Sequence, residues 1–466
     1  MKLINKSNNE LRRLLHLSSS INSKKPHRMS RVLLLDKTNF DNSISKSFSL
    51  LKERSFVASN LSGLHYLLPL ATRSLTKLIS IIDQEMEAIG CEKMILPTLG
   101  HSGLLKISGK LPDHQQDVFI FKDRHGQDLF LTPTHEEMFC YWLSKEKIFE
   151  KQLPIYLYQI ASKYRDEARP RSGLLRGKEF MMKDLYSFDA TEADSQNSYN
   201  RVCQSYQNIF DRLEINVIKV QADPGAIGGN HSHEYHLISD IGEDTIHLCS
   251  NCNQGFSEEY IEKQQSNQSK YCDSCNCDLQ AKQSIEVGHA FYLATRYTQP
   301  FRCFYRSKTN NYSLLQMGSY GLGVTRILAS CAEILSTPRQ LKWPKQIAPF
   351  HVTVIPPKMN SKESNVNQLA EDLAQQLAKY TNADVVIDDR SELTIGYRQV
   401  VSKCLGIPVN IIVGKKAQQE IPLFEFSYYR QNHRLDNDKV ETIKKDLSLS
   451  EIMEEIKLLF PINDEN

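Results

Sequence analysis

Long apolar runs are missing from this chain of 466 residues. No stretch approaches the roughly 18 residues that cross a bilayer, so no membrane span is expected. A surplus of one charge is missing too. Lys and Arg number 57 against 55 Asp and Glu, a net charge of +2, so bulk charge demands no nucleic-acid partner, although a local basic face stays open. There is no even set of cysteines behind a secretory signal. Eleven cysteines in a long chain argue against a disulfide framework and for reduced thiols or a metal site. What is present is an ordinary globular composition, 40% hydrophobic and 24% charged, at a length that suggests about three domains.

The first residues differ from the rest. Lys2, Lys6, Arg12, Arg13, Lys24, Lys25, Arg28 and Arg31 face a single acid, Glu10, with serines at 18–20 and leucines (Leu11, Leu14, Leu15) near helical spacing. That composition reads as a mitochondrial transit peptide over residues 1–30. The alternative is a basic tail that touches nucleic acid.

Beyond it, Leu75, Leu78, Ile81, Ile82 and Met86 form one stripe and predict a helix over about 67–90, stopped by Gly90. Short apolar runs predict strands at 93–97, closed by Pro97, and at 128–131, where Thr132-Pro133-Thr134 turns into a helix from His135. Strands at 155–164 and 180–188 flank a basic loop, as in an antiparallel hairpin. Residues 249–284 are polar and read as a small insert; strand character returns over 286–297. A glycine-rich segment at 318–323 runs into a helix over 324–335. Past 343–349 the pattern is strand (351–356), helix (361–380), strand (384–388), helix (396–405), strand (409–413), a compact α/β unit with a partly parallel sheet.

Two segments carry chemistry. In Tyr164-Arg165-Asp166-Glu167, Arg165 can fork onto a phosphate or carboxylate, and Glu167, on the same strand face, can accept from an adenine amino group. Arg176 adds a cation and Phe180 a flat face for adenine. In Gly318-Ser319-Tyr320-Gly321-Leu322-Gly323 the glycine spacing is wrong for a dinucleotide fingerprint, so tight packing under an adenosine is the better reading, with Arg326 reaching a phosphate.

In this order the segments resemble a class II aminoacyl-tRNA synthetase: 67–97 its motif 1, 164–188 its motif 2 and 318–335 its motif 3. The strings Thr132-Pro-Thr-His-Glu-Glu137, Tyr164-Arg-Asp-Glu-Ala-Arg-Pro-Arg171, Glu179-Phe-Met-Met-Lys-Asp184, Ile227-Gly-Gly-Asn-His-Ser-His233 and Glu286-Val-Gly-His289 resemble prolyl-tRNA synthetases of the bacterial and mitochondrial type, over about residues 28–460. The resemblance implies an α/β fold: a catalytic domain over 31–345, with an antiparallel sheet flanked by helices, and an α/β anticodon-binding domain over 349–466. It implies a homodimeric ligase of the mitochondrial matrix that uses ATP, with Mg²⁺, to join proline to tRNA(Pro).

The resemblance also implies roles. Thr134 and Glu136 would accept from the prolinium N–H groups. Arg165 would hold the proline carboxylate or the ATP α-phosphate and steady the transition state. Arg176 and Arg326 would bind the β/γ-phosphates, and Glu167 and Phe180 adenine. His233 would stand beside the proline ring, although without the resemblance a packing histidine is the better reading. Asp389 and Arg390 would meet anticodon bases; a surface salt bridge is an equal reading for each.

Three departures stand out. Lys178 replaces the family's arginine, keeping the charge and losing the fork; Ser319 replaces a cysteine. Only about forty residues separate Asp244 from Ile285, where many bacterial relatives carry an editing domain, so uncorrected alanine misactivation is expected. That short insert holds Cys249-x-x-Cys252 and Cys272-x-x-Cys275, a spacing that suits a structural Zn²⁺ or else thiols that bind nothing.

Overall fold

The computed structural model describes residues 25–35, 45–110, 117–229, 231–263, 271–272, 274–430 and 441–461. It divides into two units, Leu33–Pro349 and a second made of Phe350–Asn466 with the residues up to Val32.

The first unit is built on a nine-stranded sheet among the described residues. At its middle, Ile155–Tyr164, Glu179–Asp189, Gln316–Gly323 and Leu279–Ala294 pair antiparallel in that order. Side chains alternate between faces. Lys183 and Tyr320 point to one side, where Lys183 meets Tyr206 and Tyr320 packs on Tyr199, both from the helix Glu192–Arg212. Phe180, Met182, Asp184, Tyr186, Ser319, Gly321 and Gly323 point to the other, which is left concave.

Helices cover the first face. In Pro69–Ala88, Pro69 occupies the first turn, where its missing N–H removes nothing, and Leu75, Leu78, Ile81, Ile82 and Met86 are buried. Gly90 follows at φ 78°, the left-handed conformation that ends a helix. Glu192–Arg212 starts from a Thr191 hydroxyl that accepts from Asp194 N at 3.1 Å.

One expectation changes and two segments gain detail. Of the strand expected at 93–97, only the start pairs: Glu92–Lys93 lies parallel to 157–158 and Met94 N–H donates to the Tyr158 carbonyl at 2.9 Å, while Leu96 donates its N–H to the Gln159 side chain. The glycine-rich 318–323 segment is an inner strand of the sheet. Its glycines admit close packing: a Cβ on Gly318 would meet the Tyr320 hydroxyl at 2.1 Å. The insert at 249–284 is rooted in the main sheet through Asp244–Cys249, Gly255–Ser257 and the first residues of Leu279–Ala294.

The second unit is built on a sheet of six strands among the described residues. Four parallel strands, His27–Arg28, Val385–Ile387, Val352–Ile355 and Val409–Ile412, continue into the antiparallel Phe424–Arg430 and Glu441–Leu447. The helices Asn367–Tyr380 and Leu449–Leu459 close an aliphatic core. A leader over 1–30 would carry off the edge strand His27–Arg28. The fold instead keeps residues 27–31 with this unit: Met29 is buried, Arg28 forks onto Glu371, and Ser30 bonds Asp389. The rest of the expected leader, 1–24, lies outside the described residues.

Candidate active site

The concave face of the first unit holds a cavity of about 400 Å³ lined by the expected Thr134, Glu136, Arg165, Glu167, Arg176, Phe180 and Arg326.

One end is locked. Thr134 and Glu136 stand where the 128–131 strand enters the helix Glu136–Leu143. The Glu136 carboxylate, 1% exposed, accepts from the hydroxyls of Thr134 and Ser319, the latter at 3.0 Å. Lys110 reaches it at 3.4 Å and Glu137 at 3.1 Å. Burial works to raise the Glu136 carboxyl, but Lys110 and the Thr134 hydroxyl outweigh it and hold it below its ordinary range. Burial likewise disfavours charge on Lys110, and the two glutamates reverse the effect, so its ammonium is held above the usual lysine range.

A buried network fixes the backbone between them. His135 N–H donates to the Tyr186 hydroxyl at 2.8 Å, and the His135 ring lies 3.0 Å from the Pro97 carbonyl and 2.6 Å from Lys163. Lys163 in turn pairs with Asp184 at 2.8 Å. Burial, and then Lys163, push His135 down to about 4, so the ring is neutral. A neutral ring that donates to Pro97 O through Nε2 and accepts from Lys163 at Nδ1 satisfies both contacts.

The other end is open. Arg165 lies 5.2 Å over the Phe180 ring, and its guanidinium makes no ion pair or side-chain hydrogen bond with a described residue. Burial and the neighbouring Arg326 lower its pKa, without bringing an arginine near neutrality. Arg176 spans Glu167 at 2.8 Å and Glu243, so two expected nucleotide ligands hold each other. Arg326 donates to the carbonyls of Leu175 and Glu286, both at 2.9 Å.

His233 is not brought to the cavity. The strand His231–Ile238 turns it toward the helix Glu192–Arg212, where its Nδ1 meets the Tyr199 hydroxyl at 2.7 Å and burial pushes it down to about 3. The period of two puts Glu234 into the cavity instead, across from Glu286 and His289. Ligand atoms of these three lie within 4.8 Å of one another and are able to hold a cation. Burial works to raise Glu286, yet His289, Arg326 and His236 bring it down to about 2. The sequence marks no role for Lys110, Glu234, Glu286 or His289 beyond the string around Glu286 and His289.

In the second unit, Asp389 accepts from Ser30, and Arg390 forks onto the buried Asp388 at 2.6 and 2.8 Å. Both expected anticodon residues therefore have partners within their own unit. The four thiols of the insert converge, their sulfurs all within 4.8 Å of one another.

A class II tRNA synthetase core domain (G, H, P, S and T) matches residues 119–335, and an anticodon binding domain matches 351–457. A probable mitochondrial proline–tRNA ligase of Homo sapiens is 40% identical over 402 residues, 85% of this chain and 84% of that protein. The chain belongs to the proline–tRNA ligase family. Further family members include a probable mitochondrial enzyme of Schizosaccharomyces pombe, 36% identical over 80% of this chain and 86% of its own length. Another is the proline–tRNA ligase of a Wolbachia of Drosophila simulans, 33% identical over 81% and 89%. A solved Giardia lamblia prolyl-tRNA synthetase in complex with prolyl-adenylate shares the fold, with a TM-score of 0.71 at 18% identity, covering 89% of this chain and 78% of that one.

Proposed function

We propose that this chain is a proline–tRNA ligase that forms prolyl-adenylate from proline and ATP and passes the prolyl group to tRNA(Pro) in the mitochondrial matrix. One observation carries the reading: a single cavity joins a locked, buried carboxylate, Glu136, to an unpaired guanidinium, Arg165, stacked on Phe180.

Thr134 and Glu136 accept from the two N–H groups of prolinium, which leaves its carboxylate facing Arg165. A carboxylate oxygen attacks the α-phosphorus, the bond to the β-phosphate oxygen breaks, and pyrophosphate leaves. The fixed charge of Arg165 steadies the pentacovalent phosphorus, so catalysis rests on positioning and charge without a protein nucleophile. Phe180 and Glu167 hold adenine, Arg176 and Arg326 the outer phosphates. Glu234, Glu286 and His289 are the residues that would hold a Mg²⁺ ion brought with ATP, which would supply positive charge beside the phosphates. In the second step the 3′-terminal ribose hydroxyl of tRNA attacks the prolyl carbonyl and AMP leaves.

The remaining readings belong to the same proposal. The chain forms a homodimer, supported by Ile95, an isoleucine 78% exposed within motif 1. A leader ends before His27. Asp389 and Arg390 face the anticodon once their intramolecular partners yield, and the four thiols hold a structural Zn²⁺. With no separate editing domain among the described residues of 244–285, alanyl-tRNA made by this enzyme is not cleared by it; efficient hydrolysis of that ester by the purified protein would refute this. The direct test of function is charging of a tRNA(Pro) transcript with labelled proline. Acid-precipitable product that requires ATP supports the reading, and charging with threonine or glycine instead would overturn it.

A further inference from the structure

The insert that stands in place of an editing domain contains two turns of the same form. Cys249-Ser250-Asn251-Cys252 and Cys272-Asp273-Ser274-Cys275 are each followed by an asparagine at positive φ, Asn253 at 59° and Asn276 at 55°. Each asparagine N–H returns to the carbonyl of the first cysteine, at 3.1 Å for Asn253 to Cys249 and 2.8 Å for Asn276 to Cys272. The turns face each other. Sulfur separations are 3.3 Å for Cys249–Cys275, 3.5 Å for Cys252–Cys272 and 3.7 Å for Cys252–Cys275. These are far beyond a disulfide bond of about 2.05 Å. They approach the ~3.8 Å edge of a tetrahedron whose corners lie about 2.3 Å from a central zinc. Asn251 N–H points at Cys249 Sγ at 3.4 Å, the contact a thiolate ligand attracts. Around the sulfurs the apolar residues are few: among the described residues of this cluster Phe256 is the one buried non-cysteine, with Tyr260, Ile261 and Leu279 packed beside it. So small a core needs another source of cohesion.

The cluster is wired to the cavity. The strand Gly255–Ser257 lies between Asp244–Cys249 and Ile218–Ala222, and the helix Glu258–Lys263 follows it at once. Phe256 stacks on Tyr260 with centroids 5.7 Å apart, and the Tyr260 hydroxyl accepts from Gln221 at 2.9 Å. Lys263 pairs with Asp223 at 2.6 Å. Asp223, Pro224, Gly225 and, from the helix itself, Glu259 line the cavity.

We propose that Cys249, Cys252, Cys272 and Cys275 hold one tetrahedral zinc ion, and that this knuckle is a strut positioning the Glu258–Lys263 helix and the 223–227 segment as one wall of the synthetic cavity. The second half rests on the ligase reading; the first does not. Glu259 and Asp223 act as positioning residues for that wall.

The test uses the full-length protein. Metal analysis of chain purified without added zinc is expected to give about one zinc per chain, and Cys252→Ser, at an exposed ligand, to lose it. In Cys252→Ser the KM for proline is expected to rise about tenfold while kcat moves less than about threefold, as for loss of a supporting shell. Lys263→Met is expected to keep its zinc and shift KM in the same direction by about threefold. Hydrogen exchange of peptides over 220–227 and 258–263 should quicken in Cys252→Ser and stay slow in Cys252→His, which retains a ligand. That readout needs no activity, so a chain that activates no amino acid still tests the strut. A zinc content below about 0.2 per chain, or disulfides joining the two turns in unreduced protein, would overturn the metal. Unchanged KM and exchange in a zinc-free variant would overturn the strut.

Discussion

The two ends of the cavity are built in opposite ways. Around Glu136 every charge is buried and answered: Lys110 by two glutamates, Lys163 by Asp184 and a neutral His135. Around Arg165 the charges are partly buried and either free, as Arg165 is among the described residues, or held in pairs such as Arg176–Glu167 that a ligand can replace. On the proposed assignment, a small substrate with an inert ring offers only its two charged groups and its shape to grip, so the end that takes its ammonium has to be fixed beforehand. A triphosphate brings charge of its own, and its end needs cations whose partners can be exchanged.

Substitutions that respect this contrast should differ in kind as well as size. Arg165→Ala is expected to lower kcat for adenylate formation about 1,000-fold, near 4 kcal/mol, with a smaller change in KM. Arg165→Lys should recover only part of this, because the fork is lost. A loss below tenfold by pyrophosphate release would break the assignment.

Lys110→Met leaves Glu136 and Glu137 without their buried cation. Removing one partner of such a cluster costs about 3–5 kcal/mol, seen as a lower melting temperature together with a raised KM for proline and little change for ATP. Equal shifts in both KM values would show that the two ends are not separate.

A third effect is set by pH. His135 has its folded pKa depressed from 6.5 to about 4, so the unfolded chain takes up the proton first. Its stabilising contribution is therefore full above 6.5 and is lost as pH falls from 6.5 toward 4. Thermal melts across that window should steepen in the wild type and flatten in His135→Gln. The smallest effect is expected from Glu243→Gln, which cuts one half-exposed partner from Arg176: less than about threefold in the KM for ATP. A tenfold change there would mean that the open end is as locked as the closed one.

How far the site could be read from the sequence follows the same division. Arg165, Glu167, Arg176, Phe180 and Arg326 sit in charged strings that stand out, and the strands 155–164 and 179–189 alternate clearly enough to place them. The helix Glu192–Arg212 is less legible, since its buried stripe mixes Ser195, Ser198, Tyr199, Cys203, Ser205 and Tyr206 with only Val202, Ile209 and Phe210. Lys110 carries no local signal either, because only the fold brings it against two glutamates 26 and 27 residues away. His233 shows a further limit. A string places a strand, but which of two adjacent residues faces the cavity depends on a register that only strand pairing fixes.

Fold and family are carried by relatives and by two domain matches; that these residues activate proline is the central claim. ATP–pyrophosphate exchange with each amino acid in turn tests it most directly. Strong exchange with proline, weaker exchange with alanine, and loss of both in Arg165→Ala is the result this account predicts. Exchange with no amino acid, or with threonine or glycine in place of proline, would contradict it.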